Sequence, residues 1–169
     1  MNPRLAEWNH VDQKTALAAM LACCGSRQWA AEMVALRPFS TVDALSESAD
    51  RVWRTMQEPD WLEAFACHPR IGERNGPSTS AQSSEWSKQE QSGASGADNR
   101  VLAQLAEGNR LYEEIFGFTY IVCATGKSAG EMLEILKRRI ESAREDELRE
   151  AAEQQRQIMQ IRLGKWLAE

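Results

Sequence analysis

The stretch Cys67-His68-Pro69-Arg70-Ile71-Gly72-Glu73 holds the residues of this chain best suited to chemistry. An imidazole exchanges a proton near neutral pH without special tuning, so His68 is the first candidate for general acid-base work. The other histidine, His10, lies in an N-terminal segment with no chemically suggestive neighbour. Proline lacks a backbone donor and drives the preceding residue out of the α region, which places His68 at a helix terminus with its ring unconstrained by a further turn. The plain alternative is a surface histidine at a helix end. Cys67 suggests a thiol nucleophile, but consecutive helical side chains diverge by about a hundred degrees, so adjacency is poor support for a thiolate-imidazolium pair.

Two other places carry polar groups in unusual settings. From Glu73 to Asn99 the chain is rich in Ser, Gly, Gln and Glu, with Trp86 its one large apolar residue. A structureless segment of this length inside a compact domain is uncommon and usually functional. Arg162 falls on an otherwise apolar helical stripe, four residues after Ile158 and four before Trp166. A guanidinium there must snorkel to solvent or meet an anion, and spacing alone favours snorkelling.

Composition narrows the function classes. The 169 residues are expected to form one domain, 1–169, with a substantial core. A formal charge of -5, from 25 acidic and 20 basic side chains, argues against nucleic acid and against an anionic membrane surface. No apolar run has the length of a membrane span, and no secretory pattern opens the chain. A cytoplasmic location is the expectation, and the C-terminal Leu167-Ala168-Glu169 agrees in not being a peroxisomal signal. Cys23, Cys24, Cys67 and Cys123 have neither redox nor zinc spacing and read as reduced, mostly buried residues.

The elements that must position these groups read as helices. Asp12 caps one running to about Gly25, and Ser26 caps another with Trp29, Met33, Val34 and Leu36 inward. Ser40 precedes a helix over Thr41 to Gln57 that packs through Val42, Leu45, Val52, Trp53 and Met56. Pro59 fits the first turn of a short helix that buries Trp61, Leu62, Phe65 and Ala66 and delivers the chain to His68. Ser83 or Ser84 caps a polar helix through Trp86 to Gln91, marginal alone and in need of something to hold it. Arg100 to Phe116 is amphipathic, with Leu111 and Ile115 on its apolar face, and Gly117 breaks it. Helices over Ala129 to Ala143 and Asp146 to Leu167 complete the chain. Between them, Phe118 to Ala124 reads as a lone buried extended segment. No second strand exists to pair with it, so its amides and carbonyls are left to bind a small molecule rich in donors and acceptors. The prediction is an all-α, single-domain bundle of roughly eight helices with one short extended segment.

Several motifs occur together: His68-Pro69-Arg70-Ile71-Gly72, Ser87-Lys88-Gln89-Glu90-Gln91, Phe116-Gly117-Phe118 leading into Ile121-Val122-Cys123-Ala124, and Ile161-Arg162-Leu163. In that order and spacing they resemble the 2-oxo-4-hydroxy-4-carboxy-5-ureidoimidazoline (OHCU) decarboxylases of uric acid degradation, over nearly the full chain. The resemblance implies an all-helical enzyme that needs no cofactor, commonly forms a homodimer, and converts its small-molecule substrate to (S)-allantoin. It implies His68 as the proton donor with Pro69 beside the substrate. Ser87, Lys88, Gln89, Glu90 and Gln91 match the family's substrate loop, Tyr120, Ile121, Val122, Cys123 and Ala124 its backbone-binding segment, and Arg162 its last-helix arginine. Thr119-Tyr120 and Arg70-Ile71 depart from the frequent Pro-Phe and Asp-Leu, which bears on pocket shape.

Two competing classes make different demands. A helical interaction module would put its six tryptophans on an exposed patch. A thiol enzyme would rely on a reactive Cys67.

Overall fold

The computed structural model describes residues 1–73 and 80–169. Among these residues there are nine α-helices, one 3-10 turn and no strand, in accord with the all-α expectation. The first part of the polar stretch, residues 74–79, lies outside the described residues. The chain divides into two compact units, Met1–Ala64 with Arg156–Glu169, and Phe65–Gln155. No helix among the described residues is long and apolar enough to cross a membrane.

The first unit contains α1 (Pro3–Trp8), α2 (Gln13–Cys23), α3 (Arg27–Ala35), α4 (Val42–Thr55), most of α5 (Glu58–Ala66) and the C-terminal half of α9 (Arg144–Leu167). Side-chain oxygens of Asn2, Asp12, Ser26 and Thr41 accept hydrogen bonds from backbone amides of the first turns they precede. They satisfy donors that no helix can pair internally. Helix α1 was not legible in the sequence, and the α4 cap is Thr41 rather than Ser40. The core is aromatic: Trp8 stacks on Phe39 and meets Trp166 edge-on, at centroid distances of 6.1 and 5.7 Å. The indole N–H groups of Trp8 and Trp29 donate to the carbonyls of Ala16 and Ala49. Leu36 and Val42, expected inside, are exposed. Each sits at a helix end, past the turns whose stripe faces the core. Ala66 is exposed for the same reason, and Ala64 takes the buried position.

The second unit holds the end of α5, α6 (Ala81–Glu90), a 3-10 turn (Ser92–Ala94), α7 (Asn99–Phe116), α8 (Ala129–Arg139) and the first half of α9. Ser80, not Ser83 or Ser84, caps α6, and its earlier start puts Ser83 on the buried face with Trp86. Gly117, at φ 80°, ends α7 in the left-handed conformation that glycine adopts without a Cβ clash. Ser128 and Glu131 form a reciprocal capping box on α8. Tyr112, Phe116, Phe118 and Tyr120 form one aromatic cluster, with Phe65 against Phe118. Leu111 and Ile115 point outward instead of joining it. A Cβ on Gly93 would stand 2.2 Å from the Lys127 carbonyl oxygen, so the 3-10 turn passes the segment before α8 at a distance only glycine permits.

Candidate active site

His68 lies two residues past the end of α5, its amide donating to the Phe65 carbonyl at 3.2 Å. The turn after it is held from three sides. Arg70 makes a two-pronged pair with Glu113 of α7 at 2.6 and 3.0 Å. Asn109 Nδ2 donates to the Ile71 carbonyl at 3.0 Å, and the Gly72 amide donates to Gln91 Oε1 at 3.0 Å. Gly72 adopts a left-handed φ of 89°. These contacts fix the backbone that carries His68 and Pro69, both half-buried.

The imidazole itself is oriented by α9. His68 Nε2 lies 2.7 Å from Oε1 of Gln155, a fully buried side chain. A carboxamide oxygen only accepts, so Nε2 is the protonated nitrogen of this pair. In a neutral ring Nδ1 then carries the lone pair, because the hydrogen bond on one nitrogen selects the role of the other. By spacing, Gln155 falls among Leu148, Ala151, Ala152, Ile158 and Met159, the apolar stripe of α9. A polar residue at such a position was the only signal for its role.

Helix α6 presents a buried polar face. Ser83, Ser87 and Glu90 share it with Trp86, each under a tenth exposed, which answers how so polar a helix is held. The hydroxyl of Ser87 donates to the Ser83 carbonyl at 3.0 Å. Lys88 and Gln89 lie on the exposed side of α6, and Gln91 is half-buried with its oxygen on Gly72.

Residues 119–124 have no regular secondary structure, and Tyr120 to Ala124 are all buried. Side chains replace the missing ladder. Arg139 Nη1 donates to the Ile121 carbonyl at 2.5 Å, the Cys123 amide donates to Gln154 Oε1 at 2.8 Å, and Lys127 Nζ donates to the Cys123 carbonyl at 2.7 Å. The backbone is thus less open than its isolation in sequence implied. Val122, between these anchors, makes no backbone hydrogen bond among the described residues.

Arg162, in the other unit, is 3 % exposed and does not snorkel. Its Nη1 donates at 3.4 Å to the carbonyl of Ala22, in the last turn of α2, where helical carbonyls lack internal partners and the dipole favours a cation. Of the six tryptophans, all but half-buried Trp61 are buried, so the exposed aromatic patch demanded by an interaction module is missing among the described residues. No group of three His, Cys, Asp or Glu among those residues is placed to hold a metal.

An imidazole just past a helix end, oriented by a buried amide, is chemically able to exchange protons, and the protein that carries it is all-helical among the described residues. A family model described as OHCU decarboxylase matches residues 9–164, and the chain belongs to that family of decarboxylating lyases. It is 38% identical over 144 residues to the uric acid degradation bifunctional protein TTL of Arabidopsis thaliana, covering 85% of this chain and 44% of that one. To the 2-oxo-4-hydroxy-4-carboxy-5-ureidoimidazoline decarboxylase of Haloferax volcanii it is 26% identical over 161 residues, covering 95% of this chain and 94% of the relative. The chain thus spans less than half of the bifunctional relative and nearly all of the other. The fold matches a crystal structure of OHCU decarboxylase in the presence of (S)-allantoin with a TM-score of 0.78 at 34% identity, over 90% of this chain and 99% of that one.

Proposed function

We propose that this chain decarboxylates 2-oxo-4-hydroxy-4-carboxy-5-ureidoimidazoline to (S)-allantoin in uric acid degradation. Its support is the family match across residues 9–164 together with one local observation, the half-buried His68 held through Nε2 by Gln155. In this substrate the carboxylate leaves a ring carbon adjacent to a carbon-nitrogen double bond. As the carbon-carbon bond breaks, its electron pair forms a double bond to the neighbouring ring carbon, the pair of the carbon-nitrogen double bond passes to nitrogen, and that nitrogen takes up a proton, giving CO2 and an enol. A proton must then reach one face of the neighbouring ring carbon while the enol hydroxyl loses its own, which yields a single enantiomer. The electron acceptor is internal to the substrate, so the protein's tasks are orientation, exclusion of water and directed proton transfer.

His68 is assigned the proton transfer, through Nδ1, with Pro69 against the substrate. Glu90 and Ser87 are assigned the ureido and ring amides, one accepting and the other supplying a hydroxyl, with Gln91 beside them and Lys88 and Gln89 at the rim. The backbone of Tyr120 to Ala124, and Val122 in particular, is assigned the ring's donors and acceptors. Arg162 is assigned the anionic or carbonyl end, for which a rigid fork of donors is selective. A homodimer in the cytoplasm is the corresponding assembly and location.

The test is His68→Asn, assayed by circular dichroism of the product, since spontaneous decay of the substrate gives racemic allantoin. Loss of a general acid-base group lowers turnover by about 100- to 10,000-fold. Formation of (S)-allantoin is expected to fall to background while binding of (S)-allantoin, measured by calorimetry, persists. Undiminished production of the single enantiomer would reject the assignment.

A further inference from the structure

Arg139 and Glu147 form a buried ion pair that the reaction itself does not call for. Arg139 is 8 % exposed and Glu147 1 %. Taking both charges out of water is costly, and replacing such a pair by apolar residues is often neutral or stabilising, so stability alone is a weak reason for it. Its geometry gives a better one. Arg139 is the last residue of α8 and turns inward. Its Nε donates to Glu147 Oε1 at 2.6 Å, its Nη1 donates to the Ile121 carbonyl at 2.5 Å, and its Cζ stands 5.0 Å from the ring centroid of Tyr120. Glu147, in the first turn of α9, also accepts from the hydroxyl of Tyr112 at 2.5 Å. Tyr112 is fully buried and packs on the ring of Tyr120 at 5.5 Å.

The guanidinium is therefore aimed by three groups at one backbone oxygen, in a segment with no sheet to define its direction. Two residues further on, Gln154 takes the amide of Cys123 and Lys127 its carbonyl. Val122 is clamped on both sides, so the directions of its N–H and C=O are set by its neighbours.

We propose that Arg139, braced by Glu147 and Tyr112, is a positioning residue that aims the Val122 backbone at the substrate. The proposal rests on the reading of residues 120–124 as the substrate's backbone contact. It predicts that the fork, and not merely the positive charge, matters, because only a planar guanidinium reaches Glu147 and Ile121 at once.

Wild type, Arg139→Lys and Tyr112→Phe are compared for kcat, KM, affinity for (S)-allantoin and melting temperature, with the Val122 amide followed by 15N NMR. Removing a hydrogen bond from a charged donor is expected to raise KM and the allantoin Kd about tenfold in Arg139→Lys, with kcat changed less. Tyr112→Phe, which deletes one hydroxyl, keeps the fold and shifts both constants in the same direction by a smaller factor. The Val122 amide resonance moves in both variants. A lowered melting temperature with unchanged KM, Kd and Val122 shift would overturn the proposal and leave a purely structural pair. If wild type neither turns over the substrate nor binds allantoin, the functional reading falls and the positioning role with it. Wild-type turnover with unaffected variants defeats the positioning role alone.

Discussion

His68 Nε2 and Gln155 Oε1 stand 2.7 Å apart, so the imidazole just past α5 takes its orientation from an amide more than eighty positions later in the chain. Replacing Gln155 by Leu keeps the volume but removes the oxygen that receives the Nε2 proton, and with it the preference that this contact gives for one tautomer. kcat is expected to fall by about tenfold or more, the scale of one misplaced general acid-base group, with KM changed little. The 15N shifts of the imidazole report the lost tautomer preference. An unchanged kcat together with unchanged ring shifts would show that Gln155 does not orient His68.

Cys67 precedes His68 and is half-buried. The acid-base reading gives it no covalent step, so Cys67→Ser is expected to keep turnover within about a factor of three, as surface-proximal conservative changes usually do. Inactivation of this variant, or of wild type by mild alkylation at Cys67, would favour the thiol class instead.

Arg162 is buried against the end of α2. Arg162→Lys retains charge but not the planar fork, and KM is expected to rise by about ten- to a hundredfold, in keeping with loss of a charge-assisted hydrogen bond. Steady-state kinetics separate this from a folding defect, which would reduce the active fraction without altering KM.

Burial, and next the hydrogen bond to Glu147, push the Tyr112 hydroxyl well above the ordinary tyrosine value of 10.0, and burial does the same for Tyr120. A group whose pKa is raised by folding contributes stability that is fully present below its unfolded value. That stability is lost as the pH climbs past it, because the unfolded chain releases the proton first. Stability is thus expected to be flat on this account up to about pH 10 and to decline above it. Tyr112→Phe removes one of the two groups, and a urea titration at increasing alkaline pH should give a shallower decline. An identical slope in both proteins would contradict the assignment.

Much of this protein was legible in the chain itself. Helix starts followed from local chemistry: Asp12, Ser26 and Ser128 cap where their side chains can reach the following amides, and Gly117 ends α7 because it alone takes a left-handed φ cheaply. Pro69 placed His68 at a helix end through sterics confined to adjacent residues. Such effects act over a few residues, so sequence determines them directly.

Tertiary structure decided which polar groups meet. The motif around His68 gives no hint of Gln155, and nothing in Phe118 to Ala124 announces that Arg139, Gln154 and Lys127 will stand in for a neighbouring strand. Glu147 reads locally as a first-turn acid suited to a helix dipole, and Arg139 as a last-turn base, each explicable on its own helix. Their burial together depends on where α8 stops and α9 starts, and α8 ends at Arg139 rather than at the expected Ala143. Leu36, Val42, Leu111 and Ile115 make the same point from the other side, since apolar character fixes a preference for burial but not the neighbour that supplies it. A buried polar group must find a partner somewhere, and only the packed chain specifies which one.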